Sequence, residues 1–173
     1  MNTRPEIMWR MKESLYNFPV AGGIFSDDRQ YRYVLWRKWD TLGLTQSVAF
    51  ICLNPSTADE TKDDPTIRRC IGYAKSWGFG GLFVCNLFAF CATNPTVMKK
   101  VQNPIGNDND IWMTYIARNV STVIAGWGEG GNFMSRDEEI KRLIPNLHYL
   151  KLNKSGQPAH PLYLKKDLTP MKF

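Results

Sequence analysis

Residues 47–77 read SVAFICLNPSTADETKDDPTIRRCIGYAKSW, and this stretch decides the fold class. Residues 47–53 are almost uniformly apolar, which is typical of a parallel strand that is buried on both faces. Residues 66–77 carry apolar side chains at helical spacing, with Pro65 suited to the first turn and Gly78 to the end of the helix. A buried strand, a polar loop and an amphipathic helix in this order predict one unit of an α/β sheet.

The same alternation of strand and helix continues along the chain. Further predicted strands lie at 31–37, 82–88, 122–126 and 147–152, and further helices at 109–119 and 135–143. Ser135 and Glu138 are spaced as a capping box for the last helix. We therefore predict a three-layer, doubly wound α/β fold with a central, mainly parallel four-stranded sheet. Residues 18–39 are expected to add an antiparallel hairpin or edge strand, and residues 1–173 to form a single domain.

Composition excludes several classes of protein. The chain has 173 residues with a formal charge of +6, and no apolar run in it is long enough to cross a membrane. The first 18 residues lack the apolar segment of a secretory signal, so we expect a cytoplasmic protein. We also expect the protein to be a monomer. Four cysteines without a CxxC pair, and only two histidines, exclude a zinc finger and predict buried free thiols. No motif indicates a cofactor or a structural metal.

The first candidate motif follows the strand at 47–53. Asn54, Pro55 and Ser56 would turn abruptly at the edge of the sheet, where α/β proteins bind their ligands. Four carboxylates come next, at Asp59, Glu60, Asp63 and Asp64. They suit general bases or Mg²⁺ ligands, and they equally suit a polar turn whose acids cap the following helix.

Two more motifs end predicted strands. Asn86 closes the strand at 82–88, where an amide could read the edge of a base while Phe88 or Phe90 stacks on its face. The alternative is a core strand whose Asn bonds the backbone. Trp127 lies in the glycine-rich segment 123–133, which lets a ligand approach closely but matches neither a P-loop nor a dinucleotide fingerprint.

Basic and aromatic residues could contact nucleic acid. In residues 29–39 four basic side chains are interspersed with aromatics, a pattern that also fits a strand with solvated arginines. His160 lies between prolines in a stiff loop, and the apolar Leu162 and Tyr163 beside it could unstack a base step. The basic residues expected to contact DNA are Arg68, Lys154 and Lys165.

The order of these motifs resembles that of the uracil-DNA glycosylase superfamily. More closely, the chain resembles a family of bacterial and phage proteins of unknown function, through YRYVLWRKW, LNPSTADETKDDPTIRRC, NLFAFCATNP and GQPAHPLYL. The superfamily resemblance implies that the protein flips a base out of DNA and hydrolyses its N-glycosidic bond. It implies that Asn54 positions water, Asn86 reads the base and His160 stabilises the departing base. Leu162 would fill the vacated stack, and Asp59 or Asp64 could supply a stronger base.

The chain also departs from the superfamily pattern. Leu53 and Ser56 stand where the superfamily usually has glycine, and the loop reads His-Pro-Leu-Tyr rather than His-Pro-Ser-Pro. Cys91 lies near a position that binds an iron–sulfur cluster in some members, but its partners are missing, so we expect no cluster. These departures favour a modified base as much as uracil. Two rival functions remain: a metal-dependent nuclease or hydrolase using Asp59, Asp63 and Asp64, and a non-catalytic reader of nucleic acid or modified bases.

Overall fold

The computed structural model describes residues 15–43 and 45–173. Residues 1–14, on which most of the signal-peptide prediction rests, lie outside the described part. The strands are β1 (Ala21–Phe25), β2 (Arg32–Lys38), β3 (Ser47–Cys52), β4 (Gly81–Asn86), β5 (Thr122–Ala125), β6 (Leu147–Tyr149) and β7 (Met171–Lys172). The helices are α1 (Pro65–Ser76), α2 (Pro95–Met98), α3 (Asn109–Asn119) and α4 (Arg136–Leu143).

The strands form one sheet in the order β1-β2-β4-β3-β5-β6-β7. The middle strands β4, β3, β5 and β6 are parallel neighbours, as the apolar runs predict. The sheet is larger than the predicted four strands, because β2 pairs antiparallel with β4 and carries β1, while β7 pairs antiparallel with β6. The mixed α/β class and the N-terminal hairpin are confirmed, and the four-stranded count is corrected to seven within the described residues.

Helices cover both faces of the sheet. The α1 helix buries Ile67, Cys70 and Tyr73 in an apolar cluster with alternate residues of β3 and β4, such as Phe50 and Val84. Side chains on the opposite face of these strands join a second cluster that includes residues of α3 and α4. The central strands read as continuous apolar runs because each of their faces packs against a helix.

The two predicted helix starts have different outcomes. Asp64 caps α1, with its Oδ1 accepting the backbone N–H of Ile67 at 2.9 Å, and Pro65 occupies the first turn. The capping box predicted at Ser135 is wrong: Ser135 has a φ of 55° and its side chain bonds no backbone N–H at the start of α4. The left-handed backbone of Ser135 turns the chain sharply at this point, and the first residue of the helix, Arg136, is buried.

The cysteines and the helices bear on the kind of protein that the composition predicts. Cys52, Cys70 and Cys85 are buried free thiols, as predicted, and burial raises the pKa of Cys85 to about 12. Among the helices of the described residues, none has the length and apolar character needed to cross a membrane.

Candidate functional site

The segments that leave β3 and β4 run side by side at the carboxyl edge of the sheet. Cys52 pairs with Asn86 in the strand register. Beyond the strands, the N–H of Leu87 donates to the Cys52 carbonyl at 2.9 Å, and the N–H of Ala92 donates to the Pro55 carbonyl at 2.9 Å. Backbone hydrogen bonds therefore hold the Asn54–Pro55 turn against the segment that follows Asn86.

The His160 loop lies over the end of β5. The N–H of Gly128 donates to the Pro158 carbonyl at 2.8 Å. A Cβ atom on Gly126 would be 2.8 Å from Cδ of Pro161, so the loop approaches the backbone at the strand end as closely as a glycine permits. The motifs predicted from the sequence thus gather at one edge of the sheet.

The side chain of Asn54 is fixed by its neighbours. Its Nδ2 donates to the carbonyls of Ala92 at 2.7 Å and Pro55 at 3.0 Å. Within residues 15–43 and 45–173, no donor is bonded to its Oδ1. The amide therefore presents a fixed acceptor, which can hold a water molecule or a ligand N–H.

His160 carries a hydrogen-bond donor in the loop that lies over the end of β5. Its Nδ1 accepts the backbone N–H of Leu162 at 3.4 Å, which assigns the proton of the neutral ring to Nε2. Burial lowers the pKa of His160, and the nearby negative charge of Asp64 opposes part of this effect. The imidazole is therefore neutral at pH 7, with an Nε2–H that no group in the described chain accepts.

Asn86 lies beside a buried arginine that the sequence did not single out as a site residue. Asn86 is 1% exposed, and its Oδ1 accepts a hydrogen bond from Arg32 at 3.3 Å. Arg32 is 2% exposed and also donates to the Ala58 carbonyl at 2.9 Å. The sequence offered one indication that Arg32 is unusual: it is a cation at the start of the apolar run that forms β2.

The four carboxylates after Asn54 have separate partners. Asp59 accepts the N–H groups of Thr61 and Lys62, which lowers its pKa and closes a turn. Glu60 pairs with Arg29, Asp63 pairs with Arg37, and Asp64 caps α1. No group of three or more metal-ligating side chains forms within the described residues. Of these acids, Asp64 is the one whose charge acts on both His160 and Arg32.

The aromatic residues predicted to contact a substrate are mostly inside the protein. Phe88 is buried against Phe133, and Trp127 is buried with its Nε1 donating to Gln157 at 2.8 Å. Neither ring has a free face on which a base could stack. Phe90 is half-buried with its ring edge-on to Tyr31.

The smaller residues of the first motif differ in exposure. Pro55 is buried, and Ser56 is half-buried. Of these two residues, Ser56 is therefore the one accessible to a ligand.

A basic groove of about 560 Å³ runs beside the His160 loop along α1. Its lining includes Arg68 and Leu162, two of the predicted DNA contacts, together with Arg69 and Lys166. Two hydrogen bonds join α1 to the segment that follows the His160 loop: Arg69 donates to the Leu164 carbonyl, and the Tyr73 hydroxyl donates to the Lys165 carbonyl.

The other predicted DNA contacts lie near the groove or apart from it. Tyr163 is 83% exposed, and its ring centroid lies 5.7 Å from that of His160. Lys165 is exposed beside the groove. Lys154 is exposed in a separate turn and does not line the groove.

The basic and aromatic strand at 29–39 does not offer its arginines to a phosphate backbone. Arg32 is buried, while Arg29 and Arg37 are paired with Glu60 and Asp63. The candidate nucleic-acid surface is therefore the groove along α1 rather than β2.

Residues 32–162 match the model of the family described as protein of unknown function (DUF1643), and the chain belongs to this family. The matched range includes Asn54, Asn86 and His160. No curated protein matches the chain. No solved structure matches it either.

Proposed function

We propose that this member of the DUF1643 family is a metal-independent DNA base glycosylase. The observation that carries the proposal is that a fixed acceptor on Asn54, an amide on Asn86 and a neutral donor on His160 belong to segments at one edge of the sheet. Three segments far apart in the chain contribute these groups. Ligands of α/β sheets bind at such an edge.

The groups match what the reaction requires. When an N-glycosidic bond breaks, its electron pair leaves with the base, and the water oxygen bonds to C1′ of the sugar. The base therefore gains negative charge, which the Nε2–H of His160 is proposed to stabilise by hydrogen bonding. Oδ1 of Asn54 would accept a hydrogen bond from the water and so turn a lone pair of the water oxygen toward C1′. The water proton ends on the base or in solvent.

Asn86 and Asp64 have supporting roles in this proposal. With its Oδ1 bonded to Arg32, Asn86 has an Nδ2–H left to donate to a carbonyl oxygen of the base. This favours uracil-like bases and modified bases that keep a ring carbonyl. The carboxylate of Asp64 would stabilise the positive charge that develops on the sugar.

The groove along α1 is proposed to bind the DNA backbone. Arg68 and Lys166 would contact phosphates, while Leu162 and the exposed Tyr163 would occupy the space left by the flipped base.

Replacing Lys166 with Ala should weaken binding to DNA of any sequence. It should also reduce the slope of log K against log salt concentration by roughly 1. Lys100→Ala, which removes an exposed lysine outside the groove, is the matched control and should leave the slope unchanged.

The experiment that tests the proposal uses chelator-treated protein and end-labelled DNA. The substrates contain uracil, hydroxymethyluracil or glucosylated hydroxymethylcytosine, and heating in alkali then breaks abasic sites. We expect alkali-dependent cleavage at one of these bases. The rate should fall roughly 100-fold or more in His160→Gln and Asn54→Ala. His148→Gln, which changes the other histidine, should retain the wild-type rate.

The same assay separates the rival functions. Strand scission that needs Mg²⁺ and leaves no abasic site would favour a metal-dependent nuclease, against which the separate partners of Asp59 and Asp63 argue. Tight, salt-sensitive binding without cleavage would favour a reader of nucleic acid or modified bases, which the basic groove alone would support. Full activity in both His160→Gln and Asn54→Ala would refute the proposed roles.

A further inference from the structure

Among the residues that the structure describes, two arginines are buried, and they differ in what neutralises their charge. Arg136 is 0% exposed and forms ion pairs with Asp110 and Glu139. Arg32 is 2% exposed, and no carboxylate of the described residues lies within ion-pair distance of it. A buried charge without a counter-ion is costly, so its retention calls for an explanation.

The hydrogen bonds of Arg32 do not supply that explanation. They go to two neutral groups, the Ala58 carbonyl and Oδ1 of Asn86. The guanidinium Nε is buried and has no partner in the described part of the chain. The charge of Asp64 acts on Arg32 from a distance, but that carboxylate accepts the Ile67 N–H as the cap of α1.

The position of Arg32 connects its charge to the candidate site. The guanidinium is bonded to the carbonyl end of the Asn86 amide, and Asn86 closes β4 at the carboxyl edge of the sheet. A cation bonded to Oδ1 draws electron density from the amide and makes the Nδ2–H a stronger donor. A negative ligand in front of Asn86 would also supply the counter-charge that Arg32 lacks.

We propose that Arg32 is a positioning residue that, through Asn86, makes the site prefer a heterocyclic base in its anionic form. This inference rests on the proposed function, in which the departing base carries the electron pair of the broken bond. Arg32 does not touch the base; it holds Asn86 and stabilises the charge of the bound anion. The ligand class is a deprotonated pyrimidine with a ring carbonyl.

The test compares binding of two free bases of similar size at pH 8 by titration calorimetry. The nitro group of 5-nitrouracil makes its ring N–H acidic enough to ionise there, whereas thymine stays neutral. The wild-type protein should prefer 5-nitrouracil. Arg32→Gln should bind 5-nitrouracil roughly 10- to 100-fold more weakly, the range for one hydrogen bond to a charged group, with little change for thymine.

Two further variants separate charge from structure. Arg32→Lys keeps the cation and should keep most of the preference for 5-nitrouracil, even where Arg32→Gln folds poorly. Arg136→Gln makes the same change at the buried arginine that has carboxylate partners, and should keep the preference despite lower stability. Melting curves of all variants establish that the binding data come from folded protein.

The outcomes are distinct from those of the glycosylase assay. A wild-type protein without preference for the anion, or one that binds neither base, would overturn the role of Arg32. Equal losses for both ligands in Arg32→Gln and Arg32→Lys would assign Arg32 a purely structural role and overturn it as well. Cleavage of DNA at a test base would still establish the glycosylase, because that assay uses neither free base.

Discussion

Replacing Gly126 with Ala should displace the His160 loop from the edge of the sheet. The new Cβ would lie 2.8 Å from Cδ and 2.9 Å from Cγ of Pro161. Carbon atoms in contact are about 3.5 Å apart or more, so the loop must move by about 0.7 Å. Overpacking of this kind costs about 1–3 kcal/mol, which lowers the melting temperature by roughly 2–12 °C for a chain of this size.

The displacement of the His160 loop should also lower the rate of the proposed reaction. A shift approaching 1 Å in a positioning loop can reduce a rate by up to about 100-fold, so the glycosylase rate of Gly126→Ala should fall more than its stability alone explains. Thermal melting and the abasic-site assay on one preparation measure both effects.

Gly72→Ala is the matched control for stability. Gly72 lies within α1, and its added Cβ would meet nothing within 4 Å. The substitution should raise stability by about 0.5–1 kcal/mol, because alanine is the better helix former. Unchanged melting in Gly126→Ala would refute the close packing of the His160 loop on β5.

Three further predictions concern stability. Asp64→Ala removes the cap of α1 and should cost about 1 kcal/mol in urea unfolding; no change would mean that the Ile67 N–H finds another acceptor. Because burial lowers the pKa of folded His160, the unfolded chain binds the proton more readily, so wild-type stability should fall as the pH drops below the ordinary histidine pKa of 6.5. His160→Gln should show a smaller loss between pH 7 and pH 5, and parallel urea titrations would contradict this. Arg136→Met removes one of two donors to the buried Leu87 carbonyl, which keeps Nδ2 of Asn109 at 3.1 Å. The variant should lose about 1.5–3 kcal/mol of stability, the range for a hydrogen bond made by a charged group, which chemical denaturation measures. Unchanged stability would show that Asn109 alone satisfies the carbonyl.

The sheet was largely predictable from sequence because its central strands are covered on both sides. Burial on both faces leaves uniformly apolar runs, and these runs identified β3, β4, β5 and β6. The β7 strand has two residues, Met171 and Lys172, which is too short for any periodic pattern. Its pairing with β6 depends on tertiary contacts alone.

The candidate site was predictable in outline, because parallel strands present their carboxyl ends at one edge. Partners of individual side chains were not predictable. Residues 29–39 alternate basic and aromatic residues, a pattern that fits solvated arginines, yet Arg32 is buried through bonds to residues far along the chain. Phe88 and Trp127 come directly after strands, at positions where residues are often exposed. Both are buried here because neighbouring segments cover them.

The main-chain hydrogen bonds at the carboxyl edge have a consequence for how this family can diversify. The turns after β3 and β4 are joined through Leu87 N–H and Ala92 N–H, and the His160 loop is joined to the β5 segment through Gly128 N–H. These bonds do not depend on which side chains the joined residues carry. Accessible positions such as Ser56 and Tyr163 can therefore be exchanged while the backbone keeps its shape, so that single substitutions can change the chemistry of this edge in related chains without rebuilding the scaffold.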